Sequence, residues 1–287
     1  MKISVLIVNH KADDYVRRAI AALHSACGKY EYETIVMDNS PEPKPITEAD
    51  IWEPIENRGF GNGCNLAAKK ATGELLLFLN PDSECAPLSV ERAADCLLQE
   101  QKAGLVGLKI LLPDGRFEGG ALRGFPTPLR SLCYFLGLEK LFPRNKVCGG
   151  YHMSWLDRNE SHQVDCVSGS FMLLRRSLFE ALGGFDESFF MYGEDMDLCL
   201  RIREAGYRVL YCAEGTVLHH HGKSGKSERQ TAAFYDAMTI FYDKHYRADH
   251  SALITAAVHG GVKILKSRGL RALRREQQTP HSLNRRL

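Results

Sequence analysis

Four short apolar runs, the first three each succeeded by an amphipathic stretch, constrain the first 112 residues more than any other feature. The runs are Ile3–Val8, Thr34–Met37, Leu75–Leu79 and Leu105–Leu112. The stretches Asp13–Ala26, Phe60–Ala71 and Pro87–Gln99 carry helical spacing; the first places Val16, Ile20 and Leu23 on one face. Continuous β-rich runs of this length are buried on both faces of a sheet. Repeated strand–helix units therefore predict an α/β fold with a doubly wound, mostly parallel sheet and flanking helices. In such sheets ligands sit beyond the carboxyl ends of the strands. Asn9, Asp38 and Asp82 fall there. Pro41, Pro43 and Pro45 forbid a helix after Asp38 and mark a loop.

The rest of the chain is less regular. Residues 118–163 are rich in aromatics, prolines and glycines without periodicity, which predicts a variable insertion or lid. A strand pattern resumes over Val164–Leu174 through Ser168-Gly169-Ser170. A helix is expected over Glu194–Ala205, closed by Gly206, then short strands at Tyr207–Tyr211 and Thr216–Leu218 and a helix over Arg229–Tyr246. The expected division is a body of residues 1–247 and a tail of 248–287. The body comprises a nucleotide-binding half (1–112), the insertion (118–163) and an acceptor and catalytic half (164–247). From Ser251 onward the tail carries Lys263, Lys266, Arg268, Arg271, Arg274, Arg275, Arg285 and Arg286 against the lone acid Glu276. Leu253, Ile254, Val258, Val262, Leu265, Leu270 and Leu273 lie among these bases. That pattern suits an amphipathic helix on an anionic membrane surface, or one packed on the body with a solvated basic face. Gly260-Gly261 argues against one unbroken helix.

Charge and cysteine usage narrow the class. The net charge of +2 gives no whole-chain pull toward nucleic acid. The nine cysteines show no zinc-ligand spacing and mostly have apolar neighbours, which fits reduced, buried thiols of a cytoplasmic protein. No stretch approaches the ~20 apolar residues of a membrane span, and the apolar start is too short for a signal peptide.

The chemistry-bearing residues are two separated acidic clusters. Asn80-Pro81-Asp82 follows the buried run Leu75–Leu79, and a carboxylate at a strand end can hold Mg²⁺ or Mn²⁺ against a substrate diphosphate. Glu194-Asp195-Met196-Asp197 opens a helix behind the apolar approach Phe189-Phe190-Met191-Tyr192-Gly193. Acids at a helix start commonly serve only the helix dipole; acids in an apolar cleft gain the basicity needed to take a proton. Asp38 reads either as a contact to a nucleotide base or ribose or as a turn cap. The segment Asn57-Arg58-Gly59-Phe60-Gly61-Asn62-Gly63 can cradle phosphate at a helix N-terminus, although its spacing is not the dinucleotide fingerprint. His219, first of three histidines, is a candidate metal ligand beside Asp82.

In this order the motifs resemble glycosyltransferase family 2, the inverting enzymes of GT-A fold. The resemblance runs from Ile3 to about Tyr246. It rests on Val36-Met37-Asp38-Asn39-Ser40, Glu56-Asn57-Arg58-Gly59-Phe60-Gly61 with Asn65, Phe78-Leu79-Asn80-Pro81-Asp82, Val167–Arg176, Gly183-Gly184-Phe185-Asp186-Glu187, Met191-Tyr192-Gly193-Glu194-Asp195 with Arg201, and Val217–Ser224. It implies a Rossmann-like sheet and a nucleotide diphosphate sugar donor. By the resemblance, Asp38 contacts the base, and Asn9, Asn57 and Arg58 belong to the nucleotide and pyrophosphate site. Asp82 matches the last acid of the family's D-x-D motif. Asp195 matches the catalytic base, with Glu194 as its partner or an acceptor ligand. His219 matches a metal ligand in a pattern completed by Gly222 and Ser224.

The first D-x-D acid is Asn80 here, which can hydrogen-bond a ribose but brings no charge to a divalent cation. The Asn-Pro-Asp form resembles bacterial rhamnosyltransferases of surface-polysaccharide assembly. It points first to dTDP-L-rhamnose, then to UDP-linked galactofuranose, N-acetylglucosamine or glucose. The expected acceptor is a saccharide or a polyprenyl-diphosphate-linked glycan at the inner face of the plasma membrane. A nicotinamide-dependent oxidoreductase needs G-x-G-x-x-G after its first strand, where this chain has Asn9-His10-Lys11-Ala12-Asp13. A nucleic-acid-binding module has no use for Asp82, Glu194 and Asp195, whose charge repels phosphate.

Overall fold

A computed structural model describes residues 1–220 and 227–278. The described residues fall into two units, one of residues 1–187 and 194–220, the other of 188–193 and 227–278.

The first unit is built on β1 (Lys2–Asn9), α1 (Asp13–Ala26), β2 (Glu31–Asp38), β3 (Ile51–Pro54), α2 (Phe60–Lys70), β4 (Leu75–Leu79), β5 (Ser83–Cys85), α3 (Ser89–Gln99) and β6 (Ala103–Leu111). Next come β7 (Leu122–Arg123), α4 (Pro128–Phe135), α5 (Leu138–Leu141), β8 (His162–Val164), β9 (Cys166–Val167), β10 (Phe171–Arg175), α6 (Arg176–Ala181), α7 (Glu194–Glu204) and β11 (Arg208–His219). One mixed sheet runs β3-β2-β1-β4-β10-β6-β11-β5, with β8 paired to β11, and β7 pairs with β9 in a separate ribbon. The apolar runs form the central strands: β4 is buried along its whole length, and β1 from Ile3 to Val8. Strands β1, β2, β3 and β4 are mutually parallel, so Asn9, Asp38 and Asn80 leave the sheet at one edge. Beyond β4 the sheet changes character, because β10 runs antiparallel to both β4 and β6.

Several elements differ from the sequence-based expectation. The stretch expected as one strand over Val164–Leu174 is broken: β9 stops at Val167, residues 168–170 form a turn, and Phe171 donates its N–H to the Ser168 carbonyl at 3.3 Å. The two strands expected at Tyr207–Tyr211 and Thr216–Leu218 are one strand, β11, whose register against β6 shifts between Cys212 and Thr216. That bulge absorbs the residues that suggested a break. The half-exposed edge strand β3 and the three-residue β5 carry too few apolar positions to stand out. Residues 118–163 contain β7, α4 and α5. All nine cysteines are free and most are buried.

The second unit contains α8 (Glu228–His245) and α9 (Ala252–Gln278). Ser227 caps α8 in a reciprocal box with Gln230. The helix α9 is continuous through Gly260-Gly261, contrary to the expected interruption. Its contacts with α8 explain this. Thr255 meets Tyr242 at 3.0 Å, His259 meets Asp243 at 2.8 Å, Lys266 meets Asp236 at 2.6 Å and Arg274 meets Glu228 at 2.8 Å. These antiparallel contacts brace both ends of α9 and outweigh a cost of about 1 kcal/mol for each glycine. No helix among the described residues is long and apolar enough to cross a membrane.

A buried carboxylate closes the start of the sheet. Glu33 accepts from Lys2 Nζ at 2.7 Å, Ser4 Oγ at 2.5 Å and the Thr72 amide at 2.7 Å. Burial alone would push this carboxyl up, but the hydrogen bonds from Lys2, Ser4 and Thr72 prevail and hold it at about 2. A carboxylate depressed in the folded state stabilises fully above its unfolded value of about 4.5, and that stabilisation fades as pH falls through the folded value. Glu33→Gln should therefore cost on the order of 3 kcal/mol at neutral pH, and urea melts should show the gap closing between about pH 4.5 and 2.

Candidate active site

The two acidic clusters are brought to one short turn. Residues Ser168, Gly169 and Ser170 lie between β9 and β10. At one end of this turn, Asn80 donates its N–H to the Ser170 carbonyl at 3.1 Å and its side-chain amide to Ser170 Oγ at 3.3 Å. At the other end, the Gly169 amide donates to Asp195 Oδ2 at 3.1 Å. One tripeptide thus joins the end of β4 to the first turn of α7. Asn80 and Asp195, 115 positions apart by their residue numbers, share a backbone support.

Asp82 is placed by strand pairing. The short β5 pairs antiparallel with the end of β11, Ser83 opposite His219, and the His220 amide donates to the Asp82 carbonyl at 2.9 Å. This sets Asp82 Oδ1 at 3.1 Å from His219 Nε2. The other ring nitrogen, Nδ1, lies 2.9 Å from Glu118 Oε2. Glu118 arrives because the chain reverses at Pro113-Asp114-Gly115 and its amide returns to the Ile110 carbonyl at 2.9 Å, alongside the end of β6. His219 is buried between the two acids. Burial pulls its pKa down, but the hydrogen bonds and charges of Asp82 and Glu118 win and raise it to about 9. Sequence reasoning overlooked Glu118. It stands at the edge of an unreadable insertion, and only the hairpin after β6 brings it to His219.

The base candidate is held by a second residue that the motifs did not reveal. Arg123, on β7, forms an ion pair with Asp195 and donates to the Val167 carbonyl at 3.3 Å. Both side chains are largely buried. Arg123 is positioned by the β7–β9 ribbon, where it lies opposite Cys166. Asp195 also accepts from the Met196 amide at 2.8 Å. The neighbouring Glu194 is buried, and its Oε2 meets no hydrogen-bond partner among the described residues. Burial, then the charge of Asp195, raises the Glu194 pKa to about 8, so it carries its proton at neutral pH. Asp197 serves the fold: it is fully buried and pairs with Arg201 Nε at 2.8 Å, while Arg201 also donates to the Leu182 and Gly184 carbonyls.

At the ends of β1 and β2, Asn9 and Asp38 are opposite partners in the strand register. Asn9 donates to Asp38 Oδ2 at 3.0 Å and to Asp13 Oδ1 at 2.8 Å, and Asp38 Oδ1 accepts from the Ser40 amide at 2.9 Å. Asp38 therefore does cap its own turn. Asn57 accepts from the Gly59 amide at 3.3 Å, and Gly59 has the positive φ of 108° that opens α2. Arg58 is exposed and makes a local pair with Glu56. The glycines of this segment also have a packing role: Gly61 lies against Phe185 and Gly63 against Val8. Asn62 and Asn65 bind Glu187. Of the residues the motifs named, His221, Gly222 and Ser224 lie outside the described residues.

A divalent cation fits part of this arrangement. His219 Nε2 and an Asp82 oxygen face one another across the gap that a shared proton now bridges, while Glu118 holds the far ring nitrogen. A carboxylate on the distal nitrogen is the usual orienting contact for a metal-bound histidine. Among the described residues two protein donors converge here, and no group of three His, Cys, Asp or Glu is placed to hold a metal. Mg²⁺ and Mn²⁺ complete their shells with water and substrate phosphates.

Comparison with known proteins agrees with the fold. A model described as "Glycosyl transferase family 2" matches residues 4–183, and one described as "Glycosyltransferase like family 2" matches 144–237. The chain belongs to glycosyl transferase family 2. The N-acetylglucosaminyl-diphospho-decaprenol L-rhamnosyltransferase of Mycobacterium tuberculosis is 28% identical over 261 residues, spanning 84% of each chain. Rhamnosyltransferase WbbL of Escherichia coli is 26% identical over 239 residues, 76% of this chain and 83% of WbbL. The structure of GalNAc-T7 with UDP, GalNAc and Mn²⁺ superposes with a TM-score of 0.57 at 17% identity, covering 84% of this chain; the match spans 50% of the GalNAc-T7 chain. The fold is GT-A.

Removing Arg123 would leave a carboxylate buried without its cation. Arg123→Met should destabilise by about 3–5 kcal/mol in chemical denaturation. Adding Asp195→Asn to that variant should recover a large part of the loss, because the stranded charge is then gone.

Proposed function

We propose that this enzyme transfers L-rhamnose from dTDP-L-rhamnose, with inversion, to a hydroxyl of a polyprenyl-diphosphate-linked saccharide during cell-surface polysaccharide assembly. The single observation that carries the reaction type is the shared support of Asn80 and Asp195 by the turn at 168–170. The rhamnose donor and lipid-linked acceptor are favoured by the names of the relatives from M. tuberculosis and E. coli, and by the Asn-Pro-Asp form of the strand-end motif.

In this reading the anionic Asp195, oriented by Arg123 and the Gly169 amide, accepts the proton of the attacking hydroxyl. The acceptor oxygen forms its bond to the anomeric carbon as the bond to the outgoing dTDP oxygen breaks. Glu194, protonated at neutral pH, does not compete for that proton. Asn9 and Asp38 bind the nucleoside, Asn57 and Arg58 reach the pyrophosphate, and Asn80 bonds the ribose. Asp82 and His219 would hold Mg²⁺ or Mn²⁺, which supplies neutralising charge to the departing diphosphate. Glu118 fixes the ring of His219, so that Nε2 is presented toward Asp82.

Asp195→Asn should lower kcat by about 10²–10⁴-fold with dTDP affinity near that of the parent; retained turnover would remove Asp195 from this role. A panel of dTDP-L-rhamnose, UDP-galactofuranose, UDP-N-acetylglucosamine and UDP-glucose, read by donor consumption and thermal shift, tests the donor. Because Asn80 brings no charge, Mn²⁺ alone should bind weakly and dTDP should strengthen it. Glu118→Gln should weaken Mn²⁺ binding in the presence of dTDP by about 10–100-fold in calorimetry. The exposed side of α9 carries Lys263, Arg268, Arg271 and Arg275, which suits attraction to the anionic inner face of the plasma membrane.

A further inference from the structure

The insertion between β7 and β8 is folded with its apolar side outward. In α4, the inward positions are Arg130, whose guanidinium meets Asp165 at 2.7 Å and also bonds the Phe125 carbonyl, and the buried Cys133. The positions Leu129, Leu132 and Leu136 form a stripe at helical spacing and are all exposed. Phe135 joins them, and Leu141 and Phe142 continue the patch at the end of α5, with Leu141 70% exposed. This inverts the pattern of a water-facing helix, which turns its charged residues out and its leucines in. Contiguous apolar surface of this kind marks an interaction site.

The charges around the patch identify its partner. Over residues 128–147 the only acid is Glu139, which is turned inward against His152. The bases Lys140, Arg144 and Lys146 are exposed among the apolar residues. Short helices with outward leucine and phenylalanine and a fringe of lysine and arginine suit the interface of an anionic bilayer, where the apolar side chains enter the acyl boundary and the bases meet phosphate.

We infer that the α4–α5 hairpin is a membrane-docking surface that seats the apolar patch in the cytoplasmic leaflet. It rests on the reading that the acceptor is carried on a lipid, and it extends that reading. The α9 helix offers charge with scattered exposed apolar residues, Leu253, Ile254 and Ile264, whereas the hairpin brings its exposed leucines and phenylalanines together within fourteen positions, 129–142. A single weak membrane signal gives only reversible attachment, and two together hold. The hairpin follows β7 directly, so the segment that carries Arg123 to Asp195 also leads into the docking surface.

The test is flotation of the full chain with vesicles of equal parts phosphatidylethanolamine and phosphatidylglycerol, at high salt to screen attraction by charge alone. Neither donor nor acceptor is present, so failure here is distinct from failure of the transfer reading. The parent should float. The variant Leu132→Ser, Leu136→Ser, Phe142→Ser, with an unchanged melting temperature, should partition at least about tenfold less, because each large side chain withdrawn from lipid loses roughly that factor. Should that variant fold poorly, Leu136→Trp keeps the patch apolar, and its emission should shift to the blue on the same vesicles. A parent that stays with the soluble fraction, a triple variant that floats equally, or a tryptophan with unshifted emission overturns the inference. So does sedimentation showing a dimer that the triple variant converts to monomer, since the patch would then belong to a second copy of this chain.

Discussion

The pairing of β5 with the end of β11 is the contact on which the site depends. Three residues suffice: Ser83, Glu84 and Cys85 lie opposite His219, Leu218 and Val217. Because β11 also runs parallel to β6, its carboxyl end sits beside the turn that returns Glu118. A motif at the end of β4 and a histidine at the end of β11 thus become neighbours through backbone hydrogen bonds rather than side-chain attraction. Two acids and one imidazole are costly to bring together in a buried place, and the ladder supplies the geometry that their charges alone would not.

The turn at 168–170 performs the matching task for the second acidic cluster. Its amide at Gly169 and its carbonyl at Ser170 are consumed by Asp195 and Asn80. The Asn80–Ser170 bond continues the antiparallel β4–β10 register by one pair, whereas the Gly169 amide turns out of the ladder to Asp195. The break between β9 and β10 therefore reflects the site, and reading Val164–Leu174 as one strand missed it for that reason. Local propensity favours continuation through Val167 and Phe171, while the third-order demand of two distant residues interrupts it.

Much of the frame was legible because burial writes a strong pattern. The run at Leu75 is apolar without interruption, those at Ile3 and Leu105 are broken only by Ser4 and by Lys109, and α1 lies at the very residues its spacing implies. The clusters at Asp82, Asp195 and His219 were legible as chemistry, and Asn9 with Asp38 as strand ends. Arg123 and Glu118 were not. Each sits in a short, irregular element whose own residues show no period, and each acts through one long-range contact that no spacing encodes. Gly260-Gly261 misled in the opposite direction: an intrinsic helix penalty was visible, and the four bridges to α8 that overcome it were not.

The proposed transfer sets an electrostatic requirement on this site. Arg123 offsets Asp195. His219 is clasped between Asp82 and Glu118, and burial with the charge of Asp195 raises the pKa of Glu194. In the proposed reaction a diphosphate approaching these carboxylates meets like charge unless a cation accompanies it, and a cation approaching alone meets a histidine already engaged by two acids. An acid at position 80 would add charge that favours a resident cation before the donor. Asn80 adds none, so the proposed mechanism has the diphosphate and its cation bind as one.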